Sequence, residues 1–159
     1  MNLTKTSHPF RRGFATLLRW SDAADTALNT LQPVAALLAR WYLAQVFFAS
    51  GLTKIRDWDI TLALFADEYK VPLLSPPVAA VLGTAGELIL PVLLLLGLCG
   101  RLPALGLGIV NVVAVLSLSE IAPAALQQHI TWGVLLAALA LFGCGKFAID
   151  HFKIGRAHV

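Results

Sequence analysis

The chain has 159 residues, 58% hydrophobic and 13% charged, with a formal net charge of +3 and a mean hydropathy of +0.77. Soluble domains carry about 25% charged residues, so the composition excludes an ordinary soluble enzyme and indicates an integral membrane protein. The basic excess is distributed as membrane topology requires and gives no reason to expect a nucleic-acid partner.

Residues 1–32 are too polar to contain the apolar core of a secretory signal. Phe14, Leu17, Leu18, Ala24, Leu28 and Leu31 share one helical face, which predicts an amphipathic helix lying on the membrane surface. Four apolar runs follow, at 33–52, 78–98, 102–118 and 130–149. A spanning helix needs about 20 apolar residues. Backbone groups in lipid must be satisfied within their own segment, so each run reads as a helix. The connection at 53–77 contains TLALFADEY, where Leu62, Phe65 and Tyr69 fall at helical spacing. This predicts a short helix at the outer surface, ended by the prolines of VPLLSPP. The turn CGRLP makes the second and third spans neighbours. The fold expected is all-α: an integral membrane four-helix antiparallel bundle at 33–150. A cytoplasmic tail with its amphipathic surface helix, 1–32, precedes it, and a cytoplasmic tail, 151–159, follows.

Orientation follows from the cations. Lys5, Arg11, Arg12, Arg19, Arg101, Lys146, Lys153 and Arg156 fall on one side; Lys54, Arg56 and Lys70 fall on the other. The positive-inside rule puts both termini in the cytoplasm of a multi-pass protein of the cell (inner) membrane. Cys99 and Cys144 then lie near cytoplasmic ends, where a disulfide is not expected.

The polar residues within the spans are the candidates for function. Arg40, Ala44, Phe47, Gly51 and Lys54 lie on one face of the first span, with a cation near each end. In the second, Ala80, Gly83, Glu87 and Leu94 share a face, and Pro91 removes the hydrogen bond to the Glu87 carbonyl. Glu87 and Asn111 fall at similar depth, about 13 Å into their runs, so the two could meet. If Arg40 or Lys54 reaches Glu87, the acid is a fixed counter-ion. If only Asn111 does, it is a proton donor or ligand-binding group. A purely structural role, fixing helix register, is the competing account. Trp58 and Trp132 read as interfacial anchors. Asp150 falls near the inner mouth, and a direct contact with Arg40 is expected, since guanidinium pairs well with carboxylate. No histidine falls within the central part of a run, which argues against a bis-histidine haem, and no cysteine cluster suits iron–sulfur. No metal site is expected, and no phosphate loop, G-x-G-x-x-G or H-E-x-x-H is present.

ARWYLAQVFFASGLTKIRDWD, AGELILPVLLLLGLCGRLPALGL and GCGKFAIDHF together resemble the DoxX family of small four-helix membrane proteins. The matching positions are Arg40, Gly51, Lys54, Glu87, Gly97, Arg101, Gly143, Gly145 and Asp150. Ala148 stands where the family usually has serine, and Lys146 where a small or apolar residue is usual. The resemblance implies a membrane subunit or accessory of a quinone- or thiol-linked oxidoreductase complex, with no covalent cofactor, quinone as the ligand, and redox subunits as partners beside the lipid bilayer. Arg40, Lys54, Glu87, Asn111 and Asp150 are the polar cluster, with Glu87 the best candidate for a working group. A small-solute or proton permease, acting as a homodimer, and a non-catalytic membrane scaffold are the alternatives.

Overall fold

The computed structural model describes residues 9–143, 145 and 147–150, with side chains from Arg19 onward. Cys144, Lys146, residues 1–8 and 151–159, and the Phe14, Leu17 and Leu18 side chains, each part of the sequence reading, lie outside the described residues. Among the described residues five helices are present: α1 (Pro9–Arg56), α2 (Trp58–Asp67), α3 (Pro76–Leu96), α4 (Leu102–Ser117) and α5 (Pro123–Phe142). Among the described residues no strand forms, and a single isolated bridge joins Tyr69 to Leu118.

Among the described residues three helices, α1, α3 and α5, are long and apolar enough to cross a membrane, and α4 is a shorter apolar helix. Large apolar side chains such as Val81, Ile89, Ile109, Val112, Leu116 and Val134 are more than half exposed. In water such a surface would drive aggregation; in lipid it is the solvent-facing side.

The order of contacts follows from the connections. α1 packs on α3, α3 on α4, α4 on α5, and α5 returns to α1. α2 caps one end against α3 and α1. Asp57 accepts from the Ile60 amide at its N-terminus, and the Thr61 hydroxyl donates to the Lys54 carbonyl at 2.8 Å. Phe65 is buried with Ala79 and Ala80, and Leu62, Tyr69 and Trp58 pack around them. This is the face that the spacing of TLALFADEY predicts.

Two expectations are corrected. Residues 9–32, expected as a separate surface helix, are continuous with the first span: α1 runs through Pro33 unbroken. Pro33 is buried, and Gly145 passes so close that a Cβ there would lie 3.2 Å from Ala36 and 3.5 Å from the Pro33 Cα. The fourth apolar run is also displaced. α5 begins at Pro123 and takes in Gln127, Gln128 and His129. It stops at Phe142 because Gly143 and Gly145 adopt positive φ, +86° and +77°.

Candidate functional site

The face of α1 read from the sequence does turn inward. Arg40, Ala44 and Phe47 are 0%, 5% and 5% exposed, Gly51 is buried, and Lys54 is half-buried. On α3, Ala80, Thr84, Glu87, Pro91 and Leu94 are buried. The two faces meet at Gly51, where a Cβ would come 3.1 Å from the Glu87 Cβ and 2.9 Å from Leu88. The absent side chain lets α3 approach α1 and brings Glu87 to Lys54. Lys54 Nζ lies 2.5 Å from Glu87 Oε2 and also donates to Ser50 Oγ at 3.1 Å. A charged pair with little access to water is held by its geometry, because neither partner can be re-solvated if the other is lost.

The pair forms one wall of a cavity of about 400 Å³. Phe47, Phe65, Tyr69, Val110, His129 and Trp132 contribute to the remaining wall, which is largely apolar. Leu82 of α3 and Ile109 of α4 also line it. Both are more than half exposed, so the cavity wall reaches the outer surface of α3 and α4. Tyr69 crosses one end of the cavity. Its neighbour Lys70 donates its amide to the Ser117 carbonyl at 2.9 Å, tying the 68–75 loop to the end of α4. Burial raises the pKa of the Tyr69 hydroxyl above its ordinary value, and the Glu87 and Glu68 carboxylates add to the shift.

Asn111 is buried, as its position predicts, and of the alternatives left open for Glu87 the structure shows the one with Lys54. Asn111 meets His129 rather than Glu87: its Nδ2 donates to the His129 carbonyl at 2.9 Å, and Oδ1 lies 2.8 Å from His129 Nδ1. Gly133, one turn on, lets α5 approach this amide. His129, set aside in the sequence reading as outside the spans, is on the cavity wall because α5 starts earlier than its apolar run. Trp132, read as an interfacial anchor, also lines the cavity. It is an edge-on neighbour of Phe47 and His129, at 5.8 Å and 4.9 Å, and donates to the Tyr42 hydroxyl at 3.1 Å. It therefore shapes the cavity as well as facing outward.

Arg40 and Asp150 occupy the other end of the bundle. Fourteen residues of helix put Arg40 about 21 Å from Lys54. The expected direct contact between Arg40 and Asp150 is replaced by two separate grips on one junction. Arg40 Nη2 donates to the Phe147 carbonyl at 3.3 Å. The Asp150 carboxylate accepts from the Gly100 amide at 2.7 Å, and its amide donates to the Gly97 carbonyl at 3.3 Å. Gly97 has φ +66°, and a Cβ there would overlap the Arg40 guanidinium and Ala148. The segment after α5 is thus clasped between α1 and the α3–α4 turn. Between junction and cavity lies a core of Leu43, Phe47, Leu94, Leu107, Leu136 and Leu139. The five polar candidates therefore fall into separate groups: Lys54 with Glu87, Asn111 with His129, and Arg40 with Asp150.

The model of the family DoxX matches residues 35–120, more than half of the chain. The chain belongs to the DoxX family. No curated protein and no solved structure matches it. The DoxX match takes in Arg40, Lys54, Glu87 and Asn111 and ends before α5, so His129 and the Gly143–Asp150 ending lie beyond it.

Proposed function

We propose that this DoxX-family protein is a membrane subunit or accessory of an oxidoreductase complex linked to quinone or thiol chemistry, with the cavity as the site of a lipid-soluble quinone. The observation that carries the reading is the cavity itself: an apolar, aromatic-lined space whose wall reaches the outer surface of α3 and α4 and carries one buried charged pair. Ligand sites commonly have about 300–1,000 Å³, with mostly apolar lining and a few placed polar groups. The chain supplies no electron carrier of its own in this reading, so redox subunits beside it hold the electrons. Lys54 donates to a quinone oxygen, and Glu87 keeps the ammonium in place and offers a proton acceptor beside it.

In the same reading α4 crosses the membrane with α1, α3 and α5, giving four antiparallel spans in the inner membrane with both termini cytoplasmic. The apolar core between cavity and Arg40 weighs against a permease, since a solute path would have to pass through packed leucines. Affinity isolation from native membranes, with identification of co-purifying proteins and lipids, tests the proposal. Redox subunits and a quinone are the expected companions. A chain recovered alone and without quinone contradicts it.

A further inference from the structure

We propose that His129 is the hydrogen-bond acceptor of the cavity, and that it makes the site select the hydroquinone form of its ligand over the quinone form. The inference rests on the reading of the cavity as a quinone site and adds a redox-state preference to it.

The proton on His129 is located by its partner. A backbone carbonyl can only accept, so the Asn111 group facing the His129 carbonyl at 2.9 Å is the amide NH₂. That fixes the amide orientation and turns Oδ1, an acceptor, to His129 Nδ1 at 2.8 Å. Nδ1 must therefore carry the hydrogen, and in neutral imidazole Nε2 then holds a lone pair. His129 lines the cavity, and Asn111 is not part of its wall. The Nδ1 edge is thus turned away, and Nε2, across the ring, is the nitrogen left for an occupant. Trp132, edge-on at 4.9 Å, holds the imidazole plane.

The cavity then has two unlike poles: a donor on α1, the Lys54 ammonium, and an acceptor on α5, His129 Nε2. A hydroquinone hydroxyl can accept from the first and donate to the second. A quinone carbonyl satisfies Lys54 but would place a lone pair against that of Nε2. Leaving a desolvated acceptor without a donor weakens binding by about tenfold.

The test uses the purified full chain in detergent, titrated with decyl-hydroquinone under reducing, anaerobic conditions and with decyl-quinone under oxidising conditions. Binding is read from quenching of tryptophan fluorescence. The hydroquinone is expected to bind about tenfold more tightly, and His129→Phe to bring the ratio near one while quinone binding persists. Nitrogen NMR of the wild-type protein should place the hydrogen on Nδ1 of His129. Equal affinity for both forms overturns the His129 proposal and leaves the quinone-site reading intact; no binding of either form overturns both. A hydrogen on Nε2 overturns the preference whatever binds. The wild-type ratio and the NMR signature decide the matter even if His129→Phe fails to fold.

Discussion

Lys54 Nζ and Glu87 Oε2 lie 2.5 Å apart, across 33 residues of chain, and join the end of α1 to the middle of α3. Their side chains are 14% and 10% exposed, so each depends on the other. Lys54→Ala is expected to cost about 3–5 kcal/mol, the usual loss when one member of a buried pair is removed. The double variant Lys54→Met with Glu87→Leu should recover most of that, because no buried charge remains. Thermal or denaturant unfolding in detergent, run as a double-mutant cycle, measures both. A double variant no better than the single one contradicts the account.

The junction at Gly97 depends on the absence of a side chain. Gly97→Ala meets a φ of +66° as well as overlap with Arg40 and Ala148. The left-handed backbone alone costs about 1–2 kcal/mol, and the overlap adds to it. Gly108 is helical and a Cβ there would meet nothing within 4 Å, so Gly108→Ala should be neutral or stabilising. Comparing the two melting temperatures checks the claim.

Which residues face inward was legible in the sequence, because helical phase depends only on spacing. Arg40, Ala44, Phe47, Gly51 and Lys54 recur at steps of four and three, and all point into the bundle. Which residues touch was less legible. Glu87 and Asn111 were matched by depth, but depth does not say which neighbour each helix turns toward. The rotation of α4 against α5 gives Asn111 to His129, and the close approach at Gly51 gives Glu87 to Lys54. His129 was missed for a related reason. Hydropathy places the start of a span at the first apolar residue, whereas Pro123 starts α5 seven residues before the run at 130. The extra two turns carry polar residues that hydropathy counts as loop. Pro123 itself, a favourable first residue of a helix, was the signal that could have moved the boundary. The clasp of Asp150 on Gly100 rests on backbone amides that no side-chain pattern reports.

The orientation proposed here is open to direct labelling. Ser75 is exposed in the connection before α3. Ser75→Cys, in a chain with Cys99 and Cys144 replaced by serine, should react with a membrane-impermeant thiol reagent in intact cells. Labelling only after lysis contradicts cytoplasmic termini.

Tyr69 predicts an alkaline loss of stability. Its hydroxyl pKa is raised in the folded protein, first by burial and then by Glu87 and Glu68, so the fold favours the neutral phenol. The contribution is fully present below the unfolded value of about 10 and is lost as pH rises through the folded value. Between those limits wild type should lose stability faster than Tyr69→Phe. Unfolding midpoints of the two proteins across that range, taken as a difference, isolate the residue; parallel curves contradict the assignment.

The central claim is that the cavity beside Lys54 and Glu87 holds a lipid-soluble quinone for a redox complex. The most direct measurement is the amount of quinone, relative to protein, that co-purifies from native membranes with wild type and with Glu87→Gln. The amide keeps the size of the acid but cannot ionise, so it weakens the hold on Lys54 without emptying the space. The account predicts bound quinone in wild type and about tenfold less in Glu87→Gln, with the same partner proteins recovered in both. Equal quinone in the two preparations, or none in wild type, contradicts it.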